Sequence, residues 1–184
     1  RICKNTQTQI HIAHVSSSDA FGQIELAKRD CSITCETTPH YVFFNDQKLI
    51  GASKANYFII PPLRNEECRH LMEVKTSMGY PEVLCSNHKA YGDSDYQSNK
   101  DDYRNIPGGM PGMGTLFPMF YDLLVGKYKW DLPKLMSRLA LNPATLAKIY
   151  PQKGVIAVGS DADIVLFNPN GKERPVTASF TQQF

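Results

Sequence analysis

The sequence predicts a parallel α/β fold followed by a small β lobe, and three observations carry that prediction. Residues 9–15 are a short run with β-branched Ile10, Ile12 and Val15, the enrichment expected of a buried strand. Ser16 to Ser18 then offer N-caps, and residues 19–29 (DAFGQIELAKR) read as a helix with Ala20, Ile24, Leu26 and Ala27 on one side. A second strand-like run, residues 31–36 (CSITCE), follows after that single helix. Strand, helix, strand with short connections is a βαβ unit, hence parallel pairing and a right-handed crossover.

The remaining elements follow in order. Thr37-Thr38-Pro39-His40-Tyr41 closes the second strand with a polar loop. Residues 42–54 continue with Asn45 and Asp46 as helix starters. Residues 55–60 are extended and run into Pro61-Pro62-Leu63-Arg64, where the double proline forbids helix. Glu66 to Met78 reads as a helix stopped by Gly79, and Pro81 to Cys85 as a third strand ending in Ser86-Asn87-His88-Lys89. Residues 92–105 are the most polar stretch, a surface loop. Residues 106–114 hold four glycines and two prolines, which implies either backbone held tightly against something or a plain connector. Phe117–Leu124 and Leu132–Leu141 read as helices, the second capped by Asp131, and Asn142 starts a short one ending near Tyr150. From Lys153 the pattern changes: two short strands, around Val155–Val158 and Ile164–Phe167, are joined by a turn and predict a separate β lobe over residues 151–184.

A length of 184 residues suits one domain with a small appendage. The net charge of +2, with signs interspersed, gives no electrostatic case for nucleic acid or a membrane surface. No apolar run approaches the roughly 18 residues of a membrane span. The five cysteines are scattered, with no Cys-x-x-Cys pair, which predicts reduced thiols in a cytoplasmic protein rather than a disulfide framework. Arg1-Ile2-Cys3-Lys4 opens as though in mid-helix, without Met or an N-cap, and predicts a fragment or a processed chain.

His14 lies at the carboxyl end of a strand, the face on which parallel α/β folds bind ligands. A neutral imidazole there is a candidate zinc ligand, although a lone strand-end histidine is more often structural. His11, three residues earlier, is expected on the opposite face of the strand. His70 is expected to be solvated on its helix, and Cys35 and Cys85 to pack in the core.

The ordered motifs Ile10-His11-Ile12-Ala13-His14-Val15-Ser16-Ser17, Cys35-Glu36-Thr37-Thr38-Pro39-His40-Tyr41, Pro61-Pro62-Leu63-Arg64, Ile106-Pro107-Gly108-Gly109-Met110-Pro111-Gly112, Leu141-Asn142-Pro143-Ala144 and Gly159-Ser160-Asp161-Ala162-Asp163 resemble those of dihydroorotases, dihydropyrimidinases (hydantoinases) and allantoinases. Asp101-Asp102-Tyr103 and the Ile-Pro-Gly-Gly stretch look more like the dihydropyrimidinase branch; Thr38-Pro39-His40 looks more like dihydroorotase or allantoinase. The resemblance implies the carboxyl-terminal part of a TIM (β/α)8 barrel, strands 6–8 with their helices, over residues 1–150. Residues 151–184 would then be strands of a small β-sandwich lobe.

It further implies hydrolysis of a cyclic amide C–N bond at two zinc ions, with a strand-end aspartate shuttling the proton. Carried over by position, His14 matches the metal-binding histidine of the sixth strand, and Ile60 and Pro61 match a loop that contacts substrate through its backbone. Gly108 and Gly109 match the glycine-rich loop beside the substrate ring. Asn87 and His88 match an Asp-His pair in which the aspartate is catalytic, and His88 is expected to contact substrate. His40 stands where the family has His or Gln, with a supporting role rather than a zinc bond expected.

Two departures qualify the resemblance. Asn87 is an amide where the family needs a carboxylate, a loss worth about two to four orders of magnitude in rate. The half of the barrel that supplies a His-x-His pair, a bridging lysine and a further histidine has no counterpart in these 184 residues. The expectation is therefore a chain that is inactive alone and does not retain the two zinc ions by itself. It would work with the missing amino-terminal half or a partner chain, in a homo-oligomer. A zinc-dependent cyclic amidohydrolase and a non-catalytic scaffold of the same ancestry both fit.

Overall fold

A computed structural model describes residues 5–6, 8–51, 54–89, 91, 95, 102 and 105–171. Among these, three strands lie side by side in chain order, all parallel: β1 (Ile10–Ile12), β2 (Ile33–Thr37) and β3 (Val83–Leu84). Ile10 faces Ile33, Ile12 faces Cys35, and Glu36 faces Val83. Helix α1 (Ser18–Ala27) returns the chain from β1 to β2; α2 (Pro39–Phe43) and α3 (Glu66–Ser77) return it from β2 to β3.

The caps explain the helix limits. Ser17 Oγ accepts from the Ala20 amide at 3.3 Å, and Asn65 Oδ1 accepts from the Cys68 amide at 3.0 Å. Gly79, at φ +88, ends α3 as expected. The buried face of α1 is Phe21 and Ile24, whereas Leu26, expected inside, is 52% exposed. The stretch 42–54 is not the helix expected from Asn45. Thr38 caps α2 earlier, and Asn45 caps only a single 3-10 turn, Asp46–Leu49.

Two apolar clusters flank the sheet. One joins Val15, Phe21, Ile24, Cys35, Tyr41, Ile59, Leu63, Met72 and Met110. The other joins Val42 and Leu84 to Phe120, Leu124, Trp130 and Leu135. Phe120, Leu124 and Leu135 come from α4 (Leu116–Phe120), its wider π-helical continuation Tyr121–Lys127, and α5 (Leu132–Met136), and Trp130 from the connection before α5. A π-helical turn, Ser137–Leu141, then leads into α6 (Asn142–Leu146).

Glu73 of α3 joins these layers from below. It is almost fully buried and accepts from Arg69 Nη1 at 2.9 Å, Lys127 Nζ at 2.5 Å and Tyr128 Oη at 2.8 Å. Burial opposes its charge, but these donors prevail and hold its carboxyl at about 2.

The tail departs from expectation. Residues 155–167 form no hairpin: no ladder joins them to one another among the described residues. A turn does form, with the Ser160 amide on the Ala157 carbonyl at 3.1 Å, and Lys153 is ion-paired with Asp161 and Asp163. Among the described residues the intended strands pair with no other strand, and Val158 and Leu166 stand almost fully exposed. Phe167 docks, with its ring 4.9 Å from that of Phe117 and 4.7 Å from that of Tyr121. The expected helix end at residues 1–4, the Asp101 and Tyr103 motif positions and most of the polar loop lie outside the described residues.

Candidate functional site at the strand ends

The β1 ladder stops at Ile12, and what happens next shapes the site. Ala13 and His14 step out of register, His14 with φ +56, and the Val15 amide resumes bonding on the Glu36 carbonyl at 2.9 Å. Thr37 Oγ1 locks this excursion by donating to the Val15 carbonyl at 2.8 Å. The two-residue excursion breaks the alternation of side chains along the strand. His11 and His14 therefore do not point apart, as a regular strand would require. His11 Nε2 lies 3.2 Å from one Glu36 oxygen and His14 Nδ1 lies 3.0 Å from the other. The remaining His11 nitrogen lies 2.9 Å from Thr34 Oγ1.

Cys85 completes the group from the end of β3. Its amide bonds the Thr37 carbonyl at 3.0 Å, and its Sγ sits 3.8 Å from His14 Nδ1. Core packing was the expectation for both strand cysteines. Cys35 is fully buried, its thiol pushed up to about 12 by burial and Glu82, but Cys85 is only half-buried and faces the histidine. Burial and the Glu36 carboxylate push the Cys85 thiol upward as well. His14 Nδ1, a Glu36 oxygen and Cys85 Sγ all lie within 4.8 Å of one another, the one such triple of metal-ligating side chains among the described residues.

Asn87 follows two residues later, at φ +41, a conformation Asn tolerates better than most residues. Its backbone N–H lies beside Cys85 Sγ and its side chain beside the Tyr41 hydroxyl, each favouring the anion of its neighbour against the larger effect of burial. That hydroxyl donates to the Pro61 carbonyl at 2.9 Å. The position expected to carry catalysis is thus tied to the Pro61 loop, and an amide has no proton to exchange near neutral pH.

The glycine-rich stretch is the tightly held alternative, not a free connector. Gly109 N–H donates to the Phe58 carbonyl at 2.9 Å, and Lys89 N–H to the Met110 carbonyl at 3.0 Å. At Gly112 a Cβ would come within 2.3 Å of the Ser86 carbonyl oxygen, so only glycine fits there. His88 Nδ1 accepts from the Gly112 and Met113 amides at 3.1 and 3.3 Å. His88, expected to touch substrate, therefore spends that nitrogen on gripping the loop. His40 grips it from below: Nε2–H donates to the Pro111 carbonyl at 3.0 Å and Nδ1 accepts from Thr38 Oγ1 at 2.8 Å. Burial lowers the His40 pKa and keeps the ring neutral. Ile60 packs on Gly108 and is 64% exposed at the same rim, whereas His70 is exposed on α3.

His14, Pro61, Asn87, His88 and the glycine loop thus form one contiguous strand-end face. Sequence reasoning missed Glu36 and Cys85. The available signal was a carboxylate placed one residue before the end of an otherwise uncharged strand, in register with the end of the histidine strand. A groove lined by Met136, Leu141, Ile156, Ile164 and Val165, with Ser137 and the Lys153–Asp161–Asp163 ion pairs on its polar side, lies elsewhere.

No family model matches the chain. A dihydroorotase from Carboxydothermus hydrogenoformans is 30% identical over 169 residues, 91% of this chain and 38% of that protein. A D-hydantoinase from Ralstonia pickettii is 30% identical over 167 residues, 89% of this chain and 36% of that protein. The crystal structure of dihydropyrimidinase from Brevibacillus agri superposes with a TM-score of 0.88 at 29% identity, covering 96% of this chain and 39% of that one. The chain spans under two fifths of the length of these curated relatives. By sequence and by fold, it belongs to the dihydroorotase–hydantoinase family of cyclic amidohydrolases and corresponds to its carboxyl-terminal part.

Proposed function

We propose that this chain supplies the strand-end face of strands 6–8 in a TIM barrel that binds a cyclic amide and opens its ring at a C–N bond. The observation that carries this reading is the convergence of His14, the Pro61 backbone and the Gly108–Gly112 loop at the carboxyl ends of three parallel strands. Zinc would supply a polarised carbonyl and an activated hydroxide. The chain's own part is to hold the ion through His14, to present loop backbone to the ring, and to keep the loop rigid through His40 and His88. The rest of the metal site and the barrel closure would come from an amino-terminal half or partner chain, and the four free thiols among the described cysteines suit a cytoplasmic setting. No described helix is long and apolar enough to cross a membrane.

Asn87 favours a second reading, a scaffold that keeps the fold and binding face without turnover. Ring-opening of dihydropyrimidine and hydantoin substrates by the full-length protein, with and without Asn87→Asp, separates the two. Under the first reading Asn87→Asp raises the rate by roughly 100-fold or more, the worth of a positioned proton carrier. No turnover in either form assigns the chain to the scaffold class.

A further inference from the structure

We propose that this chain has re-formed its cation site around a cysteine: His14 Nδ1, the Glu36 carboxylate and Cys85 Sγ together bind a single zinc-class ion, and Asn87 is not a ligand. The proposal rests on the cluster itself and holds under either reading of function.

The three donors come from the ends of three neighbouring strands, so the sheet fixes their separation. A tetrahedral zinc with its usual bond lengths sets nitrogen and oxygen ligands about 3.4 Å apart and nitrogen and sulfur ligands about 3.6 Å apart. The observed separations are 3.0 Å for His14 Nδ1 to Glu36 and 3.8 Å for His14 Nδ1 to Cys85 Sγ. Both His14 separations lie within about 0.4 Å of these values, and all three donor atoms lie within 4.8 Å of one another. His11 holds the other Glu36 oxygen, and Thr34 holds the other side of the His11 ring, an outer layer that orients the carboxylate. The Asn87 backbone N–H beside the sulfur favours the thiolate, against burial and the Glu36 charge, and a bound dication would add to it. Binding balances simply. The ion displaces the Cys85 thiol proton to solvent, and His14 keeps its single ring proton, carrying it on Nε2. With Glu36 ionised, the two anionic ligands neutralise a dication. Three protein donors leave a fourth position for water or a substrate oxygen. A sulfur donor also makes the site softer than an all-nitrogen and oxygen set, favouring zinc, cobalt and cadmium over magnesium.

The test is titration of the metal-free protein, in its full-length form, with cobalt(II), read by thiolate-to-cobalt charge-transfer absorption in the near ultraviolet. The expected result is a charge-transfer band that is lost in Cys85→Ser and kept in Cys68→Ser, with zinc competing it away. Zinc affinity in Cys85→Ser falls by roughly 100-fold. Alkylation of Cys85, followed by peptide mass in the unaltered protein, slows on adding zinc, and this readout needs no variant to fold. A spectrum without charge transfer, a band that survives Cys85→Ser, or alkylation indifferent to zinc overturns the proposal.

Discussion

Glu36 and Glu73 are both nearly buried carboxylates that accept from several side chains, yet their partners differ in kind. Glu73 sits among Arg69, Lys127 and the Tyr128 hydroxyl, donors that keep their protons across the whole physiological range. Glu36 sits among His11, His14 and the Cys85 thiol, side chains of the types that ligate metal ions. The first arrangement can only hold helices together. The second can trade a proton for a cation without moving the backbone. The partner set, rather than burial or charge, separates a carboxylate that serves the fold from one that serves chemistry.

Replacing each carboxylate by its amide sharpens this contrast. Glu73→Gln leaves Arg69 and Lys127 facing an uncharged group, and should cost about 3 kcal/mol in urea unfolding. A loss below about 1 kcal/mol would place Glu73 among ordinary surface pairs. Gly112→Ala tests the rigid part of the strand-end face. Its Cβ meets the Ser86 carbonyl, a backbone atom that cannot step aside, so a loss of about 2 kcal/mol is expected from thermal or urea unfolding.

Acid reads the same contrast. The Glu73 carboxyl lies at about 2 against an ordinary 4.5, so its folded pKa is depressed. Its contribution is complete above pH 4.5 and drains away as pH falls toward 2, by roughly 2 kcal/mol. Unfolding free energy measured from pH 6 down to pH 2.5 should fall more steeply in the unaltered protein than in Glu73→Gln. Parallel curves would remove Glu73 as the source. Smallest of all, Glu36→Gln should change metal-free stability by less than about 1 kcal/mol, because the amide oxygen still accepts from one histidine and its NH2 can donate to the bare ring nitrogen of the other.

The sequence made the βαβ order, the α3 limits and the Asn65 and Asp131 region legible because periodicity and caps are local signals. It also placed His14 and the glycine loop at the strand ends. It did not reveal that Ala13 and His14 leave the ladder, because that excursion is set by Thr37 and Glu36, more than 20 residues away. For the same reason His11 was assigned to the wrong side, Cys85 to core packing, and Glu36 to no role at the site. The hairpin expected after residue 153 failed for a different cause. Its β-branched runs carry strand propensity, but propensity forms no sheet without a partner strand.

The account's central claim is that the strand-end face holds a metal ion through Glu36 while Glu73 holds the fold. The most direct measurement is the zinc-induced shift of the thermal unfolding midpoint in the unaltered protein, Glu36→Gln and Glu73→Gln. With zinc near 100 times its dissociation constant, binding adds about 2.7 kcal/mol, a rise of roughly 5–10 °C for a chain of this size. The account predicts that rise in the unaltered protein and in Glu73→Gln, from a lower starting midpoint, and its near loss in Glu36→Gln. An equal rise in all three proteins would contradict it.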